Sequence, residues 1–309
     1  MVSSSQRITL KTLTPLWTGG VDQTCDRLHE TGLIGSLRWW YEALVRGLGG
    51  YACDPTSEDP KVRCEYDPRK PDPPEKQLCA ACYLFGCTGW GRKFRLRVLN
   101  EQGQPIEDAL AKKDITFHLE FLELRPITEE EKWLLTKSVE IAARYGALGG
   151  KTTLKPQKGP MGEDFGIISW IGASPTLQRP NDIQAFLQRF RQKKNVSGHP
   201  DLRYFFFVSG GFLSRLKMNS LMGLDGKGRP LESADEVQKF LQGKRGTSQS
   251  DAISKKLFSF RADGGRIWGY ARDAQMRGGI IKRIKQLLGQ GNYTVKTGEE
   301  VLHELRPAH

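Results

Sequence analysis

From Arg7 to Leu13 (RITLKTL) the chain alternates apolar and polar positions, with Ile8 and Leu10 between polar neighbours, as a half-buried strand does. KFRLRVLN (93–100), DITFHLEFLEL (114–124) and GIISWIG (166–172) read as three further strands. Between the first and second, apolar residues recur at helical spacing from about Thr31 to Leu48. Between the third and fourth, a helix runs from about Thr128 to Tyr145. Thr128 and Glu131 stand at capping-box spacing, and the acidic first turn suits the helix dipole. The order strand, helix, strand, strand, helix, strand predicts an α+β, ferredoxin-like βαββαβ unit with its helices on one face of an antiparallel sheet.

The second half alternates in a similar way. DIQAFLQRFRQKK (182–194) is an amphipathic helix and RYFFFVSG (203–210) a strand; 212–230 reads as a loop and 234–242 as a short helix. LFSFRADGGRIWGYAR (257–272) is a hairpin turning at Asp263-Gly264-Gly265, followed by a basic helix over about 274–288 and a mixed tail. Tandem ferredoxin-like domains are expected, at residues 1–172 and 173–309. An insertion at 51–90 interrupts the first, and its part 51–82, rich in Pro and Asp, should lack regular structure and need a staple.

Winding the first helix at about 100° per residue gathers Leu33, Ile34, Leu37, Trp40, Tyr41, Leu44, Val45 and Leu48 on one arc. Arg38, Trp39, Glu42, Ala43 and Arg46 fall on the other. Trp40 is therefore expected in the core, and Trp39 beside a neighbouring domain or an RNA surface. Gly32, Gly35 and Ser36 occupy the first turns, where free amides and close approach make a site for a phosphate.

Composition changes the picture in two ways. A net charge of +12 over 309 residues favours polyanionic partners, since each neutralised phosphate releases counterions. The absence of an apolar run long enough for a membrane span, and an N-terminus (MVSSSQRITLK) without a signal-peptide core, lead to a cytoplasmic expectation. Five of the six cysteines follow the spacing C-x10-C-x14-C-x2-C-x4-C. In a cytosolic chain such clustering points to metal rather than disulfides. Cys53, Cys64, Cys79 and Cys82 are the expected ligands of a structural zinc that staples the insertion, with Cys87 as substitute.

Four stretches together, TPLWTGG (14–20), ETGLIGSLRWWYEALVRGLGG (30–50), CAACYLFGCTGWGRKFRL (79–96) and ARYGALGGKTT (143–153), resemble the RAMP superfamily of CRISPR proteins, in its type III-B (Cmr) branch. The resemblance covers about the first half of the chain. It implies tandem domains related to the RNA-recognition fold. It also implies an RNA-binding structural subunit of a guide-directed antiviral complex, placed toward the guide's 3′ end among other RAMP subunits and helping to capture target RNA without cutting it. The family's glycine-rich loop maps to 146–166. There Gly146, Gly149 and Gly150 allow close backbone approach, while Lys151 and Lys155 supply charge. A nucleotide P-loop is excluded, because its first glycine would fall on Tyr145.

The expected RNA contacts are thus Gly35, Ser36, Arg38, Arg46, Gly146, Gly149, Gly150, Lys151 and Lys155, with Arg215 and Lys217 from the second domain. Two other functions compete with this one. A ribonuclease would use Asp22, Asp26 and His29 for acid–base attack by a ribose hydroxyl. A protein-only scaffold would bind partners and no RNA.

Overall fold

The computed structural model describes residues 5–19, 24–57, 59, 61–152, 164–243 and 253–305. Strand β1 (Ser5–Thr12) leads into helix α1 (Glu30–Gly47), the short helices α2 (Pro74–Gln77) and α3 (Ala80–Phe85), and strands β2 (Phe94–Leu99) and β3 (Thr116–Glu123). Helix α4 (Glu129–Tyr145), strand β4 (Ile168–Ser174) and helix α5 (Ile183–Gln188) follow. After a 3-10 turn at Leu202–Tyr204 come β5 (Phe205–Ser209), α6 (Arg215–Leu221), α7 (Glu236–Gln242), β6 (Leu257–Phe260) and β7 (Arg266–Tyr270). The chain closes with α8 (Ala274–Leu288), β8 (Thr294–Thr297) and α9 (Gly298–Glu304).

Two four-stranded antiparallel sheets result, ordered β2-β3-β1-β4 and β6-β7-β5-β8. Numbered within each half, both read 2-3-1-4, an order compatible with tandem ferredoxin-like units. The expected capping box is present, Thr128 Oγ1 accepting from the Glu131 amide while the Glu131 carboxylate accepts from the Thr128 amide. The hairpin turns where Asp263 and Gly264 take positive φ.

The layers, however, are not two independent units side by side. Alternate residues of the second sheet face opposite ways. Phe205, Phe207, Phe258, Trp268 and Tyr270 join the core of the first half, whereas Phe206, Val208, Leu257 and Ile267 join a separate core with Met276, Ile280 and Ile284 of α8. Helices α1 and α4 therefore lie between two sheets, and α8 covers the far face of the second. Aromatic rings fill the seam: Trp40 meets Trp268 at 5.1 Å, Trp39 meets Phe205 at 5.8 Å, and Tyr145 meets Phe207 at 5.0 Å between ring centroids. Arg266, buried, reaches from β7 to donate to the carbonyls of Ala143 and Gly146 at the end of α4. It satisfies helix-end acceptors that would otherwise be lost to burial.

Several expectations need correction. The boundary after residue 172 falls inside β4, which continues to Ser174. The segment beyond it packs backwards, since Ile183, Phe186, Leu187, Phe190 and Leu202 belong to the core of the first half. The insertion holds two short helices where none was expected, and α6 replaces part of the expected loop at 212–230. The helix expected over 182–194 stops at Gln188, because Arg191 turns its amide to the carbonyls of Glu75 and Leu78 in the insertion.

The close fit of α4 to α1 gives a test. A Cβ on Gly146 would lie 2.1 Å from the buried Trp40 indole. Gly146→Ala should lower stability by about 1–3 kcal/mol through overpacking, measured as a fall in the urea midpoint with unchanged slope.

Candidate nucleic-acid interface and metal centre

The glycine-rich loop and the start of α1 do meet. Ser36 Oγ accepts from the Gly149 amide at 3.1 Å, and the Gly150 amide donates to the Trp17 carbonyl at 2.8 Å. These bonds change what the glycines are for. Gly149 has φ +87, and a Cβ there would lie 2.7 Å from the Trp17 carbonyl oxygen; one on Gly150 would lie 2.3 Å from the Trp17 ring. The loop is glycine-rich because it packs against Trp17 and Trp40, and the amides of Gly146, Leu148, Gly149 and Gly150 are already committed within the chain. Gly35 is exposed with open space around it, but it sits a full turn into α1, where amides serve the helix ladder.

Among the loop's described residues, the one presented outward is Lys151. Its ammonium stands 4.7 Å above the half-buried Trp17 ring and 5.6 Å from that of Phe165. Lys151 itself has φ +55, a conformation that costs a non-glycine residue on the order of 1 kcal/mol. Trp17 and Phe165 were not among the residues picked from the sequence, although the tryptophan lies in the TPLWTGG string. Lys155 lies outside the described residues. In the second half, Arg215 is exposed, and Lys217 donates to the Leu287 carbonyl at 2.7 Å, placing its charge at the end of α8.

Arg38 and Arg46 do not face solvent as expected, because the second sheet and the insertion cover the supposed outer face of α1. Arg46 is 2% exposed and donates to the carbonyls of Ala52, Cys53 and Pro200. Arg38 donates to Glu42 at 2.8 Å, to the Gly86 carbonyl at 2.8 Å and to Cys82 Sγ at 3.0 Å. Glu42 lies between the two guanidiniums, and burial still pushes its carboxyl up to about 7. Arg38 keeps its charge against burial because Cys82 and Glu42 hold it there. Neither arginine is placed to touch RNA; both serve the interior.

Cys53, Cys64, Cys79 and Cys82 converge as the spacing predicted. All four are buried, with sulfurs within 4.8 Å of one another, and Cys53 and Cys82 are 3.4 Å apart. Tetrahedral zinc–thiolate bonds of about 2.3 Å would set sulfurs about 3.8 Å apart, so the donor set fits such an ion with little movement. Cys87 is outside this set of four; it is half-buried, with its thiol toward the Thr88 carbonyl and next to the Cys82 thiol. Hydrogen bonds from Cys53, Cys64 and Cys82 hold the Cys79 thiol well below the ordinary thiol range. Amides of Cys79 and Cys82 point at Cys64 Sγ and Cys79 Sγ, and Arg191 approaches Cys64 Sγ at 3.8 Å. Four thiolates with a divalent ion leave two negative charges, and Arg38 and Arg191 are placed to offset them.

Of the ribonuclease residues, Asp22 lies outside the described residues. His29 Nε2 and Asp26 Oδ1 are 3.0 Å apart at the start of α1, and this hydrogen bond holds the Asp26 carboxyl below its usual range.

The family model of the RAMP superfamily matches residues 9–154. The apo crystal structure of Cmr1 from Pyrococcus furiosus superposes with a TM-score of 0.50 at 12% identity, over 96% of this chain and 99% of that one. Chains in two cryo-EM structures of the type III-B Cmr-beta complex are also similar. One complex is bound to cognate target RNA and AMPPnP in the presence of single-stranded DNA (TM-score 0.47, 11% identity, 92% and 99% covered). The other is bound to cognate target RNA (0.45, 12%, 92% and 99%). No match was found among curated proteins. No helix among the described residues is long and apolar enough to cross a membrane.

The reassignment of Arg38 is testable. Arg38→Ala should weaken metal binding by roughly 10–100-fold, read by competition with a chromogenic chelator, because it removes a cation that offsets the thiolate charge. The fold of Cmr1 from Pyrococcus furiosus extends along this chain, and residues 9–154 match the family model of the RAMP superfamily.

Proposed function

We propose that this protein is an RNA-binding structural subunit of a guide-RNA-directed type III-B CRISPR complex, in the position of its subunit numbered one. In this reading it sits toward the guide's 3′ end among other RAMP subunits and helps to hold target RNA. One observation carries the RNA reading: Lys151, held over Trp17 and beside Phe165, at the loop that Ser36 ties to the start of α1. A cation beside an aromatic face is what a single strand requires, a phosphate contact next to a surface for base stacking. The RAMP match, which includes Trp17, Ser36 and Lys151, and the charge of +12 support it. Gly35, with open space around it, allows a sugar–phosphate chain to pass close to α1. Tandem ferredoxin-like units supply the rigid elements from which these side chains project.

The cysteine cluster is proposed to hold one zinc ion. Cys53, Cys64, Cys79 and Cys82 would bind it as thiolates, and its contribution is structural, since four protein ligands leave no open position for a substrate. Elemental analysis of purified protein should find about one zinc per chain. Cys82→Ser should lose it together with thermal stability; full stability without metal would refute the assignment.

For RNA, Lys151→Ala should weaken binding to single-stranded RNA about equally across sequences and lower the salt slope by about 0.7. Trp17→Ala should cost about 1–3 kcal/mol of binding, in fluorescence anisotropy, with little change in slope.

The Asp26–His29 pair favours a second reading, a ribonuclease, because an acid and an imidazole meet at hydrogen-bond distance. Turnover of RNA in chelator, abolished by His29→Ala, would establish it. We propose instead that intact RNA is recovered after incubation with excess protein, and that His29→Ala leaves binding unchanged.

A further inference from the structure

A second concave, basic surface lies in the other half of the molecule. Helix α8 buries Met276, Ile280 and Ile284 on one side; Ile281, Lys282, Lys285 and Gln286 line the opposite side. After Leu288 the chain turns at Gly289, with φ +69, and brings Gln290 and Tyr293 back alongside that side. The helix and the returning strand enclose an open groove of about 730 Å³. Gly278 leaves one end of it clear, since a Cβ there would meet nothing within 4 Å.

The charge in the groove is selectively left over. Other basic residues around α8 are neutralised: Arg277 by Glu299 at 2.7 Å, Arg283 by Asp235 at 2.7 Å and Arg272 by Glu236 at 2.5 Å. Lys282 and Lys285 are exposed and have no ion-pair partner among the described residues, and no carboxylate lines the groove. A second groove of about 670 Å³, on the insertion, differs in this respect: Glu65, Asp67 and Asp72 line it with its lysines.

We propose that the α8 groove is a second binding site for single-stranded RNA, a claim that rests on the RNA-binding reading above. Lys282 and Lys285 contact phosphates, Tyr293 offers a half-buried ring for a base, and Gln286 and Gln290 supply amide donors and acceptors for base edges or ribose hydroxyls. An acidic peptide would use the lysines alone and leave the tyrosine and the two amides without a task. The groove is open along its side, so a strand can pass through it rather than end in it.

The experiment is fluorescence anisotropy of a labelled single-stranded RNA with the full-length protein at several salt concentrations. Four proteins are compared: wild type, Lys282→Ala/Lys285→Ala, Tyr293→Leu, and a charge-matched control, Lys112→Ala/Lys113→Ala, whose lysines are exposed in the loop between β2 and β3. The groove double variant should bind roughly tenfold more weakly near physiological salt, with the slope lower by about 1.4. Tyr293→Leu should lose roughly fivefold or more with the slope unchanged. The control should match wild type, and thermal melts should show both double variants folded. If groove and control double variants lose affinity equally, only general charge acts and the groove assignment fails. It fails as well if the groove double variant binds RNA like wild type but loses an acidic peptide that wild type binds. Wild type that binds no RNA would overturn the broader reading and the groove with it.

Discussion

Beyond its first turns, helix α1 has no exposed face. One side lies on the first sheet and the other meets the second sheet, the insertion and the segment leading to β5. A helix in that position must bury whatever polar residues it carries, and this one carries Arg38, Glu42 and Arg46 at successive turns. Their spacing lets one carboxylate serve two guanidiniums, at 2.8 and 3.6 Å, while the remaining donors go to backbone carbonyls and a cysteine sulfur. Leaving such a charge unpaired inside a protein costs about 3–5 kcal/mol, so the row acts as a unit.

The same row connects parts that are distant in sequence. Arg46 joins the insertion, through Ala52 and Cys53, to Pro200 ahead of the second sheet. Arg38 joins α1 to Cys82. From the opposite direction Arg191 reaches the carbonyls of Lys61 and Arg63, and Asn195 pairs with the Gly50 carbonyl and the Ala52 amide. The cysteine cluster therefore sits where the insertion, α1 and the connection between the two sheets all converge. The proposed ion would steady the arrangement of the two halves, and with it the distance between the Lys151 loop and the α8 groove.

Local features were legible in the sequence wherever local physics decides them. Apolar patterning and turn signals placed seven of the eight strands found among the described residues, the Thr128–Glu131 pair placed the start of α4, and Asp263-Gly264-Gly265 placed the hairpin turn. The C-x-x-C pair and its spacing picked out the four cysteines that the fold brings together. Arg38 and Arg46 misled because winding a helix assumes water on its polar side, and here a second sheet lies there. The glycines of 146–150 misled differently. Glycine marks close approach, but sequence does not say to what, and the neighbours proved to be Trp17 and Trp40. The α8 groove was illegible because its second wall, Tyr293, returns only after a turn that no local pattern announces.

The proposed function places RNA at two edges of a four-layer body, with the cysteine cluster and the buried arginines between its parts. Hydrogen exchange with and without a single-stranded RNA tests this most directly. The account predicts slowed exchange in peptides covering Trp17–Thr18, Leu148–Thr152 and Gly289–Tyr293. It also predicts no change in the insertion around Cys53–Cys82. Protection confined to the insertion, or absent from both edges while RNA is bound, would contradict it.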